Sequence, residues 1–278
     1  MMEKKLLIGA VCIIIVAASI LAYYYMKISK SSLTPLVVFA GSASKPVLEE
    51  VSEEFEEETG ISVELHLSGS GEMLSQMKIT KSGDLYIPGS DDYMTKAIED
   101  GAADPETVKI LAYLIPAIIV QKGNPKGIHS LEDLARSGVR IGIADPKTVC
   151  VGEYAYKILK YNGLWERVEK NIVVYAESCS KVAALITTKM VDVIIGWSVF
   201  ENWDPDKSEA IFIEPERIPK ISCIPAALST YSKNKDEAEK LLNFLASQKV
   251  REIFNKYGYI ATLEDARKYA PNAEAPFT

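Results

Sequence analysis

The groups in this chain that could do chemistry are serine hydroxyls and free backbone amides, and they recur at one kind of corner. Leu36 to Pro46 reads LVVFAGSASKP: a short apolar run ends in Gly41, Ser42, Ala43 and Ser44 and passes straight into a helical pattern. A strand-to-helix turn of this kind leaves the first helical N–H groups without partners, and the helix dipole is positive there, so an anion is favoured. One small-residue turn is ordinary turn chemistry. The corner returns, however, at Ser68-Gly69-Ser70-Gly71, at Asp145 to Tyr154 and at Glu177-Ser178-Cys179-Ser180. The chemistry implied is capture of an anion by N–H and O–H donors. The two histidines, His66 and His129, are far apart in the chain and neither neighbours Ser42, Ser70 or Cys150. That argues against a nucleophile with its base, and against a His-based metal site.

The elements that must position these corners alternate between strand and helix. Pro46 to Thr59 places Val47, Leu48, Val51 and Phe55 on one helical face, with Ser44 as N-cap, Pro46 in the first turn and Gly60 as the stop. Seven glutamates between Glu49 and Glu58 read as the solvated face of this helix. Ile61 to Leu67 alternates as a strand; a helix with Met73, Leu74 and Met77 follows, then the short strand of Gly83-Asp84-Leu85-Tyr86-Ile87 and a helix to about Asp100. Ile115 to Gln121 and Ser222 to Ser229 are apolar extended runs containing Pro116 and Pro225, and a second α/β unit lies between them. It holds strands at Arg140 to Ala144 and Ile172 to Ala176, and helices marked by Tyr154, Ile158 and Tyr161 and by Val182, Leu185 and Ile186. Its last strand, Val191-Asp192-Val193-Ile194-Ile195-Gly196-Trp197, matches Gly83 to Ile87 in place and pattern, as a weak internal repeat would. Asp236 to Tyr257 is an amphipathic helical region, and Asn272 to Thr278 reads as a loose tail.

These elements predict an α/β protein of two lobes, each a mostly parallel sheet flanked by helices, joined by two hinge crossings. The expected division is 1–30 membrane anchor and tether, 31–115 lobe 1, 116–224 lobe 2, 225–265 the return of lobe 1 and 266–278 a C-terminal tail. Ligands of open α/β sheets sit beyond the carboxyl ends of the strands. Four such ends would meet across a cleft, two from each lobe.

The chain has 278 residues, a net charge of −7 and no basic stripe, which argues against nucleic acid as a partner. Leu6 to Met26 is an uncharged stretch preceded by Lys4 and Lys5, followed by Lys27, and ending in Tyr23, Tyr24 and Tyr25. Its length suits a membrane span better than a signal h-region, and no small-x-small cleavage site follows, so an uncleaved signal anchor is favoured over a cleaved signal peptide. Cys12 lies inside that run. Cys150, Cys179 and Cys223 lie beyond it, an odd number without CxxC spacing, which excludes a disulfide scaffold and a zinc signature. Cys150 and Cys179 fall on neighbouring corners, where they could pair or stand idle. Tyr113 and Tyr154 read as packing aromatics.

From Leu36 to Ile260 the sequence resembles the periplasmic molybdate-binding proteins of ABC transporters. The resemblance rests on VFAGSAS, ETGISVEL, SGSGEM with Gln76, GDLYIPGS, VQKGNP with SLEDL, IADPKTV, KVAAL, VDVIIGW and FNKYGY, in that order. It implies a type II periplasmic-binding-protein fold, closing about a hinge on one tetrahedral oxyanion, molybdate or tungstate. It further implies an ABC permease as partner, no cofactor, no enzymatic activity, and a monomer on the outer face of the cytoplasmic membrane. Carried over by position, the ligand donors would be Ser42, Ala43 and Ser44 from the first corner, Ser70 (Ser68 less so) from the second, the backbone N–H groups of Val151 and Val182, and the indole of Trp197. The chain departs from the family in having Ala43 where serine is frequent and Cys150 in place of a proline. A related archaeal group adds carboxylate ligands from the third loop, where this chain has Val149. Four-coordinate recognition by hydrogen bonds is therefore expected, with Glu153 and Glu177 as the carboxylate alternative. Other tetrahedral anions, sulfate or phosphate, are the alternative ligands, and a sensor domain is an alternative role.

Overall fold

The computed structural model describes residues 34–278. The expected membrane anchor at 6–26, Cys12 and most of the tether lie outside these residues. Among the described residues no helix is long and apolar enough to cross a membrane.

Among the described residues ten strands follow one another as β1 (Leu36–Gly41), β2 (Val63–Ser68), β3 (Leu85–Ile87), β4 (Lys109–Leu114), β5 (Pro116–Gln121), β6 (Ile141–Ala144), β7 (Ile172–Ala176), β8 (Val193–Trp197), β9 (Ser208–Phe212) and β10 (Ser222–Leu228). They form two five-stranded sheets, ordered β2-β1-β3-β10-β4 and β7-β6-β8-β5-β9. In the first sheet β1 runs parallel to β2 and β3, whereas β10 is antiparallel to β3 and β4. In the second, β6 runs parallel to β7 and β8, and β5 is antiparallel to β8 and β9. Both sheets are thus mixed rather than mostly parallel. The physical reason is the crossing: the chain passes from β4 to β5 within one residue, and back before β10, so each sheet receives a strand that enters from the opposite end.

The expected internal repeat is visible in this layout, with β3 and β8 in equivalent places. Asp84 precedes β3; its carboxylate accepts the Val37 N–H at 2.8 Å and its own N–H donates to the Val37 carbonyl at 2.7 Å. Asp192 precedes β8 and does the same with Arg140, at 2.9 Å in each direction. Each aspartate staples the start of one central strand to the start of its neighbour, which is why both units carry an acidic residue there.

The helices are α1 (Lys45–Thr59), α2 (Ser70–Thr80), α3 (Asp91–Glu99), α4 (Cys150–Tyr161), α5 (Trp165–Val168), α6 (Cys179–Thr187), α7 (Phe200–Trp203), α8 (Lys235–Leu245), α9 (Gln248–Lys256) and α10 (Leu263–Arg267). Helix α1 buries Val47, Leu48, Val51 and Phe55 as its spacing predicts, each contributing roughly 1.5–3 kcal/mol. Gly60 ends it in the left-handed region at φ 74°. Its glutamates are not all solvated: Glu54 and Glu58 pair with Lys249, and Glu50 with Lys256, so one row forms an ionic seam with α9.

Two corrections concern the return. Strand β10 opens at Ser222 within the first sheet, so the crossing lies before residue 225. The tail is tied down: Glu274 N–H donates to the Pro219 carbonyl, Ile221 N–H to the Glu274 carbonyl, and Phe277 N–H to the Asp91 carboxylate at 3.0 Å. Ala266, Ala270 and Ala273 join the core of the second lobe together with Ile118, Ile141 and Ile195. Small side chains let the tail lie flat there, a packing that polarity along the sequence hides.

Candidate functional site

The corners meet where the two lobes touch. From lobe 1 come the end of β1, the buried turn Ser42–Ser44 and the start of α2 at Ser70; from lobe 2 come the first turns of α4 and α6. The lobes are closed upon each other. Gly71 N–H donates to the Thr148 carbonyl at 2.9 Å, Tyr93 O–H to the Lys147 carbonyl at 3.1 Å, and Ser180 N–H to Ser42 Oγ at 3.1 Å. Such close backbone approach requires glycine at the second corner: a Cβ on Gly69 would lie 2.8 Å from the Glu177 carbonyl oxygen and 3.0 Å from that of Thr148. A cavity of about 480 Å³ opens at the mouth between Ser75, Tyr93 and Lys96 of lobe 1 and Lys147 and Thr148 of lobe 2.

The structure brings together five of the seven expected residues. Ser42 and Ala43 are buried in the first turn, with the Ala43 carbonyl accepting from Tyr259 O–H. Ser70 is buried; its Oγ accepts the Gly89 N–H at 3.1 Å and lies on the same side of Gly89 as the Cys150 sulfur. Val151 is buried as the second residue of α4, where its N–H belongs to the first helical turn. Trp197 is fully buried, edge-on to Tyr154 at 5.1 Å between centroids. Its Nε1 has no hydrogen-bond partner among the described residues.

Two expected donors are spent elsewhere. Ser44 Oγ donates back to the Gly41 carbonyl at 3.2 Å and makes no side-chain cap. The Val182 N–H donates to the Ser178 carbonyl at 3.0 Å, because Val182 is already the fourth residue of α6 and its amide is satisfied within the helix. The donors that α6 can turn toward the interface are those of its first turn, at Cys179 and Ser180. Glu153 and Glu177, the carboxylate alternative, turn instead to Lys157 and Lys181, each four residues further along the chain.

Sequence reasoning places Cys150 and Cys179 on neighbouring corners without choosing between a bridge and idle thiols; the structure puts the pair at the centre as free thiols. The two sulfurs are 3.9 Å apart, each on the first residue of its helix, and both are buried. A Cβ added at Gly89 would stand 2.7 Å from Cys150 Sγ, 3.1 Å from Ala43 Cβ and 3.9 Å from Ser70 Oγ. The signal in the sequence was the place of both cysteines on corners; their separation is a tertiary fact. Their proton affinities split. The hydrogen bond from Cys179, helped by the Ser70 hydroxyl and the Val151 N–H, lowers the Cys150 thiol below its ordinary value despite burial. Burial, then the neighbouring Cys150, pushes Cys179 well above it.

The arrangement can hold an anion by hydroxyl, amide and indole donors at three helix or turn N-termini. Among the described residues no cluster of three or more His, Cys, Asp or Glu side chains is placed to hold a metal ion.

Comparison with known proteins agrees with this architecture. Residues 36–260 match the bacterial extracellular solute-binding protein family. A relative in Haemophilus influenzae is 28% identical over 226 residues, covering 81% of this chain and 90% of that protein. The molybdate-binding protein ModA of Escherichia coli is 22% identical over 232 residues, covering 81% and 88%. Among solved structures, the periplasmic molybdate-binding protein of Azotobacter vinelandii has a TM-score of 0.71 at 18% identity, covering 82% of this chain and 99% of that one. The sulfate-binding protein SubI of Mycobacterium tuberculosis has a TM-score of 0.72 at 15% identity, covering 87% and 93%. At those identities the structural likeness concerns the fold: two α/β lobes closed on a site between them. With its family match spanning both lobes and the interface, the chain belongs to the bacterial extracellular solute-binding proteins.

Proposed function

We propose that this protein captures one tetrahedral oxyanion, molybdate or tungstate, between its lobes and delivers it to an ABC permease from the outer face of the cytoplasmic membrane, where its N-terminal segment anchors it. The observation that supports this reading is that the small-residue corners of both lobes face one another at the interface, where Ser42 Oγ accepts the Ser180 N–H across it and Ser70 Oγ and Ala43 pack beside Cys150. A dianion without a proton asks only for donors, and each charge-assisted bond contributes roughly 1.5–3 kcal/mol. Phosphate carrying a proton needs an acceptor as well, which disfavours it. The name of the E. coli relative supports molybdate, whereas the likeness to a sulfate-binding fold makes sulfate the second reading. Longer metal–oxygen bonds separate the two by cavity size.

Calorimetric titration of the purified protein with molybdate, tungstate, sulfate and phosphate tests the proposal. One-to-one binding of molybdate and tungstate, with sulfate at least tenfold weaker, is expected. A preference for sulfate or phosphate would overturn the choice of ligand, and silence from all four would overturn the oxyanion reading.

A further inference from the structure

We propose that Cys150 and Cys179 belong to the anion site and set its affinity through their redox state, holding its donors as thiols and releasing them as a disulfide. The inference rests on the oxyanion reading above. Three donors of the expected ligand shell stand beside the cysteine pair in the closed structure. Ser70 Oγ and the Cys150 sulfur crowd the same point beside Gly89, the Val151 N–H is in the first turn of the helix that Cys150 begins, and the buried Trp197 Nε1 has no hydrogen-bond partner among the described residues. An oxyanion taking up these donors must sit beside the two sulfurs, one of them the Cys150 thiol held below its ordinary value.

The pair is built to couple. Both sulfurs head helices of the same lobe, 3.9 Å apart, so bridging them pulls no lobe against the other. A disulfide closes the sulfur separation to about 2.05 Å, which draws each sulfur toward its partner and away from the flanking donors. It also removes both thiol protons and with them any thiolate. The exchange with an external small disulfide such as glutathione disulfide is balanced. Both cysteine S–H bonds and the glutathione S–S bond break, one Cys150–Cys179 S–S bond forms, two electrons pass to glutathione, and its two sulfurs take up the two protons. An extracytoplasmic setting supplies the oxidising conditions under which such bonds persist. Since the sulfurs are sealed between the lobes, the exchange needs the open form, and a bound anion should protect them.

The full-length protein, purified in detergent, is treated with glutathione disulfide, and its cysteines are mapped by peptide mass spectrometry. A Cys150–Cys179 bridge is expected, formed several-fold more slowly with saturating molybdate. No bridge, or one through Cys223, would overturn the proposal. Titration of the bridged and the dithiol forms with inorganic molybdate should then show the bridged form binding about tenfold more tightly, the scale of one freed charge-assisted donor. Cys150→Ser and Cys179→Ser should each bind the anion with an affinity that no longer responds to oxidant. Equal affinity of the two wild-type forms would overturn the gate while leaving the oxyanion reading intact. A bridge that forms in a protein binding none of the oxyanions would overturn that reading, and the gate with it.

Discussion

Single hydroxyls at the interface do two jobs, and substitution separates them. Ser70 Oγ accepts the Gly89 N–H inside lobe 1 and stands at the point where the ligand is proposed to sit, while Ser42 Oγ accepts the Ser180 N–H from lobe 2. Replacing either by alanine removes a potential charge-assisted bond, so the affinity for molybdate should fall about 10- to 100-fold for Ser42→Ala and Ser70→Ala. Stability should fall by only about 1 kcal/mol, the net worth of an ordinary hydrogen bond. Titration calorimetry reads the first effect and urea unfolding the second. An affinity loss no larger than the stability loss would show that these serines are structural. Val182→Ala, whose amide is satisfied within α6, should leave affinity within about twofold.

At the scale of elements, the glycines of the second corner govern how closely α2 meets the loops of lobe 2. Gly69→Ala puts a methyl group 2.8 Å from the Glu177 carbonyl oxygen, nearer than a Cβ tolerates, while lobe 1 on its own has no such conflict. The substitution should therefore weaken ligand binding tenfold or more and leave thermal unfolding of the ligand-free protein nearly unchanged. A second prediction concerns lobe 2, where Arg217 bonds Glu132 with both guanidinium nitrogens. That bond holds the Glu132 carboxyl at about 2, below its ordinary 4.5. A carboxylate depressed in the folded state stabilises it fully above pH 4.5, and the contribution is lost as pH falls toward 2. Because Glu132 is half exposed, the effect is small, below about 1 kcal/mol after solvent screening. Urea midpoints of Glu132→Gln should accordingly fall less steeply than wild type between pH 4.5 and 2, with the curves parallel at neutral pH.

Considered as a whole, the molecule is held closed by more than its ligand site. Lys220, on the return crossing, bridges Asp91 and Asp92 of α3 at 2.8 and 2.9 Å, with its side chain 12% exposed. Lys157 of lobe 2 reaches the same Asp92 at 3.5 Å, and the tail closes the group through Phe277. Removing the central cation leaves the buried Asp91 carboxylate without its ion pair beside the half-buried Asp92, so Lys220→Met should destabilise the protein by about 3 kcal/mol in urea. If the lobes rotate about the crossings at Ile115 and at Lys220–Ile221, ligand binding should reduce the radius of gyration in small-angle scattering. It should also add RT ln(1 + [L]/Kd) to stability, about 2.7 kcal/mol at a hundredfold excess over Kd. Superimposable scattering profiles with and without anion would rule out the rotation.

Local pattern was enough to read much of this protein. Apolar spacing placed α1 and its buried face, alternation and small-residue breaks placed the corners, and Asp84 and Asp192 marked the repeat, because each of these depends on interactions within one strand–turn–helix unit. What passes between units was decided by the tertiary structure. The sheets are mixed because two strands enter from the other lobe, and the register of that entry is a long-range fact. Val182 looked like a donor until helix geometry showed its amide spent on Ser178, one turn too deep to reach the interface. The tail seemed loose because its alanines carry little apolar signal, yet they find a flat surface on lobe 2. Cys150 and Cys179 lie 29 residues apart in the chain and 3.9 Å apart at the sulfurs, a distance set by how α4 and α6 start on neighbouring strands. The residue types thus determined that an anion could be held at these corners; the packing of two lobes decided which donors meet, and that two thiols stand among them.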